Sequence, residues 1–254
     1  MRFIPSAPQR RSIALTLLAL GLIGSAHAGN ANPGYDRPGL GFAPAALQAG
    51  DFTWEQGLPD FSRNDDTTFY TADSLFRLGL GGAFELQLGT SWNHLSAPHY
   101  DASGMGSTSV GLKFAPHTSG AFSWGVLGSV AFTDGSREFG NADKQYLLGA
   151  AVNWQLDARN SVGAYVENNH ADGRNDQLLA VNAGHALTPT VGGYVELGWQ
   201  HLDSQRSGTM GGAGLTWMAT PKVQLDASFR HRIGGEIDTW QGGLGVSVYF
   251  GHVL

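Results

Sequence analysis

The sequence contains no cysteine, few charged residues and no strongly basic stretch. Without cysteine, the chain cannot form a disulfide, a thiolate zinc site, an iron–sulfur cluster or a cysteine nucleophile. Charged residues make up 14% of its 254 residues, whereas an ordinary soluble domain has about 25%. The formal net charge is −6 at pH 7 and no basic patch is interleaved with aromatic residues. We therefore exclude a nucleic-acid partner.

Long apolar runs are also missing, except near the N-terminus. Arginines at positions 2, 10 and 11 precede the apolar run IALTLLALGLI, and SAHA follows up to Ala28, which is the order of a secretory signal. This run of eleven residues is too short for a transmembrane helix, which needs about 20. We predict that residues 1–28 are a cleaved signal peptide and that any later membrane crossing uses strands.

Glycine and a period of two dominate the rest of the chain. The sequence has 37 glycines, which disfavour long helices. After a Pro/Gly/Ala-rich stretch at residues 29–50, bulky apolar residues alternate with small polar ones in segments separated by turn residues. In WQGGLGVSVYF, residues 240–250, the apolar face of the predicted strand includes Leu244, Val246 and Phe250. We count twelve such segments of about nine to twelve residues, the length of a tilted membrane strand.

The connections between these segments alternate strictly between two kinds. Five are short, near residues 81, 117, 158, 188 and 220. Six are longer and polar: PDFSRNDDT, NHLSAPHYDASGMG, DGSREFGNADK, NNHADGRNDQ, LDSQRSGTMG and RHRIGGEIDT. Outer-membrane barrels combine short periplasmic turns, longer external loops and an even strand number. We predict an all-β transmembrane antiparallel barrel of about 12 strands over residues 51–254, with Gly29–Gly50 as a periplasmic lead-in or partial plug.

The tryptophans support this prediction because most of them fall near strand ends. An indole at a membrane boundary keeps its ring in the apolar layer and its N–H in water. Three lie beside short turns: Trp124, Trp154 and Trp217. Three lie beside long connections: Trp92, Trp199 and Trp240. We interpret these six as two aromatic girdles, one at each membrane surface.

The same alternation turns most charged strand residues toward the inside. We predict that the following line the lumen: Glu55, Asp73, Arg77, Glu85, Lys113, Glu167, Glu196, Asp226 and Arg230. Such charges either form a constriction that selects solutes by charge and size, or pair with one another in a plugged interior that holds the wall together. The sequence leaves both interpretations open.

The sequence gives only weak indications of a catalytic or metal-binding site. His94 and Ser96 have the spacing of the histidine and serine in outer-membrane lipid hydrolases, but Ala97 stands where those enzymes have asparagine. The polar stretches at residues 63–66 and 172–176 hold carboxylates, yet they lack the ligand spacing of a calcium loop and are typical of turns. We expect no catalysis, no metal and no cofactor.

Several motifs together resemble a known family. They are RPGLGFAP (37–44), WEQGLPD (54–60), YTADSLFRLGL (70–80), ELQLG (85–89), WQLD (154–157), LTP (187–189) and VSVYFG (246–251). This set resembles the outer-membrane family named for the MetA-pathway, the meta-pathway of phenol degradation, whose members are often labelled transporters. The resemblance implies a membrane barrel and suggests aromatic or hydrophobic solutes, and it brings no catalytic residue. Members commonly end on an aromatic residue, whereas GHVL follows Phe250 here.

We therefore predict an outer-membrane channel or transporter for small molecules, exported by its signal peptide. Its expected partners are outer-membrane lipids, the barrel assembly machinery and a small-molecule solute. Two alternatives remain: an outer-membrane lipid hydrolase using Ser96 and His94, and a non-conducting structural or adhesion barrel.

Overall fold

The computed structural model describes residues 33–202 and 206–253. These residues form thirteen strands: β1 (Asp51–Asn64), β2 (Thr67–Gly81), β3 (Phe84–Ala97), β4 (Tyr100–Met105), β5 (Ser109–Phe114), β6 (Phe122–Ala131), β7 (Gln145–Gln155), β8 (Asn160–Ala171), β9 (Arg174–Ala186), β10 (Val191–Leu202), β11 (Arg206–Thr220), β12 (Val223–Gly235) and β13 (Trp240–His252). In this part of the chain, no helix is long and apolar enough to cross a membrane. The predicted signal peptide lies outside the described residues.

The strands form one antiparallel sheet that closes on itself, because β1 pairs with both β2 and β13. β4 and β5 both pair with β3, the first along residues 92–97 and the second along residues 84–89. They are thus two halves of one wall strand, interrupted at residues 106–108. The wall therefore has twelve strands, which confirms the predicted barrel. Closure pairs the first and last wall strands, which removes the open edge of the sheet; among the described strands, β4 alone pairs on one side only.

Side chains on the two faces of the wall differ sharply. Bulky apolar residues project outward and are exposed, with Leu148 at 67% and Val195 at 59% of their full accessible surface. Inward positions hold polar and charged groups, and Arg77 and Lys113 are fully buried. A soluble barrel would place its apolar face inside and charge outside. The observed arrangement is the one that suits a hydrocarbon surrounding.

The two ends of the barrel have different connections. One end, here called the short-turn end, carries the connections at residues 82–83, 115–121, 156–159, 187–190 and 221–222. At the other end, the hairpin end, most segments predicted as long loops are instead continued strands. For example, β1 and β2 pair up to Asn64 and Thr67 and leave a two-residue turn.

The loop prediction failed there because polar composition does not distinguish a loop from a solvent-exposed hairpin. Cross-strand hydrogen bonds continue beyond the apolar band, and the turns close through Asp65 and Asp172 with φ of 47° and 48°. Asp and Asn tolerate this left-handed conformation better than most residues. The connection at residues 132–144 is the irregular one, and its Phe139 ring lies 6.1 Å from that of Phe69 on β2. Residues 203–205 lie outside the described residues.

Residues 33–50, here called the lumenal segment, run inside the barrel. Its backbone amides bond to inward carboxylates, with Leu40 N 3.1 Å from Glu196 Oε2 and Leu47 N 3.0 Å from Glu85 Oε2. Its Phe42 packs edge-on against inward Tyr165 on β8, with ring centroids 5.5 Å apart. The interior of the barrel is therefore filled largely by this segment and by the polar side chains that contact it.

Candidate functional site

Most of the nine charged residues predicted to face the lumen contact the lumenal segment or lie against it. Seven are buried in the interior: Glu55, Arg77, Glu85, Lys113, Glu196, Asp226 and Arg230. Asp73 also faces inward, but it is exposed to a cavity. Glu167 is half-buried and accepts a hydrogen bond from the Tyr165 hydroxyl. The structure thus brings seven of these side chains together around one segment.

The tightest group, here called the Arg77 cluster, consists of Asp36, Glu55, Arg77, Glu85 and Lys113. The Arg77 guanidinium bonds to Glu85 through Nε and Nη2 at 2.7 and 2.9 Å, and to Glu55 at 2.7 Å. The Lys113 ammonium lies 3.0 Å from Asp36 and 3.2 Å from Glu85. Three carboxylates thus share two cations. All five side chains are at most 10% exposed, so the loss of either cation would leave buried negative charge uncompensated.

A second group of contacts holds the middle of the lumenal segment. Arg37 forms a two-pronged pair with Asp60 at 2.8 and 2.9 Å and also lies 3.3 Å from Asp226. The backbone amides of Asp36 and Arg37 donate to Glu55 at 3.1 and 2.9 Å. Such planar guanidinium–carboxylate pairs fix geometry as well as charge. The segment is therefore fixed to β1 and β12 at its centre.

Neighbouring wall strands hold the next residue of the same stretch, Pro38. Arg230 bonds to Glu196 at 2.6 Å and, through Nη2, to the carbonyl oxygen of Pro38 at 2.8 Å. The Tyr194 hydroxyl donates to the same carbonyl at 3.1 Å. Inward residues of β10 and β12 thus converge on Pro38.

Three charged residues that form these interior ion pairs were not predicted from the sequence. Asp36 and Arg37 precede the first strand, where alternation gives no orientation, and Asp60 follows an irregularity in β1 between residues 57 and 60 that reverses its parity. One signal was available, since Asp36 and Arg37 are the charged residues of the otherwise uncharged stretch 29–50. Unpaired charge inside a barrel is costly, so an isolated charged pair in such a lead-in predicts inward partners.

Two cavities lie on opposite sides of the lumenal segment. The one toward the hairpin end has a volume of about 350 Å³ and is lined by Asp60, Phe61, Phe69 and Asp73 among others. The one toward the short-turn end has a volume of about 910 Å³ and reaches the connection at residues 115–121. Residues 37–39 line both cavities. The segment therefore divides the barrel interior into two compartments, an upper one toward the hairpin end and a lower one toward the short-turn end.

The hydrolase pair predicted from sequence is not formed as expected. His94 Nδ1 hydrogen-bonds to Ser103 Oγ at 2.8 Å, and Ser96 instead lies opposite Asp101 in the β3–β4 ladder. His94 Nε2 is 3.6 Å from Asp101, whose side chain is 69% exposed. An exposed acid at that distance orients a histidine poorly. A His–Ser bond also recurs at His201 and Ser207, which favours a role in the wall over catalysis.

The predicted metal candidates form turns. The stretch at residues 63–66 closes the β1–β2 hairpin, and the stretch at residues 172–176 closes the β8–β9 hairpin. Within the described residues, no group of three or more histidines and carboxylates could hold a metal ion.

The six predicted girdle tryptophans all project from the outer face of the wall. Their exposed fractions range from 37% for Trp124 to 57% for Trp154. Trp92, Trp199 and Trp240 lie toward the hairpin end, whereas Trp124, Trp154 and Trp217 lie toward the short-turn end. Their contact with lipid stays a prediction.

Comparison with known proteins places this barrel in a family. A family model described as "Putative MetA-pathway of phenol degradation" matches residues 35–250. The chain belongs to this family. The match begins within the lumenal segment, so that segment is part of the family pattern along with the wall. No curated protein matches the chain in sequence.

Solved structures share the fold of this family member at low sequence identity. The COG4313 outer membrane channel from Pseudomonas putida F1 aligns with a TM-score of 0.64 and 14% identity, covering 81% of this chain and 97% of that one. The KdgM porin in complex with disordered oligogalacturonate has a TM-score of 0.56 and 14% identity, covering 79% and 99%. The NanC porin has a TM-score of 0.52 and 8% identity, covering 78% and 98%. These likenesses establish the fold of outer-membrane barrels.

Proposed function

We propose that this protein is an outer-membrane channel whose lumen is closed by the lumenal segment and which passes small molecules when that segment moves. The observation that carries the proposal is the pair of cavities separated by residues 37–39. A wall protein without transport needs no internal compartments on both sides of a polar barrier. The similarity to solved channels and porins supports the same function.

The contacts of the segment suit a barrier that moves. They are ion pairs and hydrogen bonds between polar groups, whereas its one buried apolar cluster is small and centres on Phe42 and Tyr165. Polar partners regain water when they separate, so their net stabilisation is modest compared with their number. A segment held in this way can leave the lumen without exposing a large apolar core.

The cavities and the family description support small aromatic compounds as the solute class. Phe69 lines the cavity toward the hairpin end, and Tyr165 and Tyr194 line the cavity toward the short-turn end beside Phe42. Aromatic faces stack on planar rings, and both cavities can hold one small aromatic molecule. The family description names phenol degradation. We propose small aromatic compounds as the solutes.

The predicted lumen-lining charges give the open state a selectivity. Among the nine wall residues, six are carboxylates and three are cations. When the segment leaves with Asp36 and Arg37, this excess of negative charge faces the water-filled lumen. We expect the open channel to prefer cations, as a salt-gradient reversal potential would measure. An anion-selective open state would contradict the proposed lining.

Planar-bilayer conductance and liposome swelling test the proposal. The mature chain is compared with a variant that lacks residues 33–48, using sugars, amino acids and phenolic compounds as solutes. We expect low conductance for the intact chain, higher conductance for the deletion variant, and faster entry of phenols than of sugars of similar size. Absence of flux in both proteins would instead favour the non-conducting barrel.

A further inference from the structure

Four histidines lie on the outer face of the wall near the hairpin end, in line with the aromatic residues there. Together they are called the histidine belt: His94 on β3, His170 on β8, His201 on β10 and His231 on β12. Each belongs to a different hairpin. The belt therefore follows the circumference of the barrel and is not a local cluster.

Each belt histidine adjoins an outward aromatic ring. The His94 ring lies 6.1 Å from that of Trp92, and the interplanar angle is 4°. The same arrangement recurs at Trp199 and His201, again at 6.1 Å. This repetition of Trp-x-His on two strands puts the imidazole two residues closer to the hairpin tip than the indole.

The other two members reach the same level by cross-strand pairing. His231 lies opposite Trp240 with ring centroids 3.9 Å apart, and His170 lies opposite exposed Tyr146 in the β7–β8 ladder. Tryptophan and tyrosine at this position mark the boundary between hydrocarbon and water in a membrane barrel. The belt lies at that boundary, where the phosphate groups of lipids are found.

The wall engages the same nitrogen of all four rings. The Nδ1 contacts are Ser103 Oγ at 2.8 Å for His94, Asn175 Oδ1 at 3.1 Å for His170, Ser207 Oγ at 2.7 Å for His201 and the Thr239 carbonyl at 2.9 Å for His231. Because Nδ1 is committed to a neighbouring strand or, at His231, to the β12–β13 connection, Nε2 is the nitrogen that each ring presents to a ligand. At His94 the ligand competes with Asp101, which lies 3.6 Å from Nε2. The rings are thus held in one orientation before any ligand binds.

Charge on the outer face is concentrated at this level. Among the described strand residues, alternation turns Arg63 and Asp101 outward here, and Lys144 lies one residue before β7. The remaining charged strand residues face inward. The outer face thus carries two permanent cations and one carboxylate beside the four imidazoles, which favours an anionic partner.

We propose that the histidine belt binds the phosphate groups of outer-leaflet glycolipids through the Nε2 atoms of its imidazoles. The partner is a lipid because the apolar band of the wall continues directly below the belt. It is anionic because the belt and the flanking Arg63 and Lys144 offer donors and positive charge. This inference does not depend on whether the lumen passes a solute.

The proposal predicts proton uptake on binding. His170 and His231 donate Nδ1–H to oxygen acceptors, so their neutral rings carry a lone pair at Nε2, which repels phosphate oxygen. They bind phosphate only when protonated. His94 and His201 contact serine hydroxyls, which can donate to Nδ1 and leave Nε2–H as a donor in the neutral ring. Binding therefore strengthens as the solution becomes more acidic.

The surroundings of the four rings are mostly uncharged. Their cross-strand neighbours are Tyr70 and Ser103 for His94, Tyr146 and Asn175 for His170, Gln177 and Ser207 for His201, and Gly211 and Trp240 for His231. The charged groups at this level are Asp101, 3.6 Å from His94 Nε2, Arg63, which is paired with Trp240, and Lys144, two residues before the Tyr146 that pairs with His170.

Native mass spectrometry tests the belt directly. Detergent-purified protein is titrated with bisphosphorylated lipid A and with dephosphorylated lipid A, at about pH 8 and about pH 5.5, on the two sides of histidine titration. We expect preference for the phosphorylated lipid and tighter binding at the lower pH. The variant carrying His94→Gln, His170→Gln, His201→Gln and His231→Gln should show no tightening of binding at the lower pH. At that pH it should bind at least about fivefold more weakly than the unmodified protein, the effect of one cation near an anionic surface.

A matched control carries His117→Gln and His185→Gln, which lie toward the short-turn end, and should bind as the unmodified protein does. Equal binding of the two lipids by the unmodified protein would overturn the proposal, and this measurement needs no variant to fold. Unchanged binding by the four-residue variant, or equal losses in both variants, would overturn it as well.

Discussion

The substitution Lys113→Met tests whether the Arg77 cluster holds the lumenal segment in place. Lys113 lies 3.0 Å from Asp36 of the lumenal segment and 3.2 Å from Glu85 of the wall, and its side chain is fully buried. Methionine matches the length and apolar stem of lysine but not its charge. In the variant, Arg77 alone compensates three buried carboxylates.

The expected loss of docking free energy depends on which ion pairs and hydrogen bonds of the cluster remain in the variant. Breaking a buried ion pair costs about 3–5 kcal/mol, and the lower end applies here because Glu85 and Asp36 keep contacts to Arg77 and to backbone or amide donors. Departure of the segment carries Asp36 into water and relieves the excess charge. We therefore expect the ratio of undocked to docked segment to rise by about 100-fold, which is what roughly 3 kcal/mol gives.

Hydrogen–deuterium exchange of the amides in residues 34–48 measures this ratio, because undocking exposes the amides of Leu40 and Leu47. Asp36→Asn is the matched control, since it leaves two carboxylates for two cations and should accelerate exchange less. The double variant restores the original charge balance of the cluster, so its effect should be smaller than the sum of the two. Unchanged exchange in Lys113→Met, or strict additivity, would refute the argument.

Two further predictions concern packing and pH. Gly79→Ala should undock the segment, because its Cβ would collide with the carbonyl oxygen of Gln48, whereas Gly128→Ala, which has open space around it, should leave conductance and exchange unchanged. At the short-turn end, hydrogen bonds from the Asn160 side chain and the backbone N–H of residue 159 lower the pKa of Asp157. The stabilisation of the turn by the Asp157 carboxylate is complete above the usual pKa of about 4 and is lost as the pH falls through the lower value. Protection of the turn amides, corrected for the intrinsic exchange rate at each pH, should therefore fall on acidification in the native protein but not in Asp157→Asn.

The architecture could be predicted from the sequence because the period of two is a local property. Alternation placed Glu55, Arg77 and Lys113 inside, and strand length with an even count gave the closed twelve-stranded wall. The same alternation could have exposed the extended hairpins, since it continues through residues 94–105. The polar composition of the hairpins obscured the alternation. A strand that extends beyond the apolar layer keeps its cross-strand hydrogen bonds and loses only its apolar face.

The site was only half predictable, because its other half lies on a segment without periodicity. The local sequence RPGLGF does not predict the contact of Arg37 with Asp60 or that of Pro38 with Arg230. Those contacts depend on how a non-repetitive chain crosses a closed barrel. The β1 irregularity that turns Asp60 inward is likewise a register feature, which single-strand patterns do not encode.

Solute passage requires movement of the lumenal segment, and a reversible disulfide between the segment and the wall tests this movement most directly. An ideal Cβ at Gly41 lies 2.9 Å from the Cβ of Tyr165, so Gly41→Cys with Tyr165→Cys can form a disulfide after a small shift of the segment. The native chain has no cysteine to interfere. In a planar bilayer we expect openings in the reduced double variant, their loss on oxidation and their return on reduction. Openings of the same size and frequency in the oxidised protein would contradict the account.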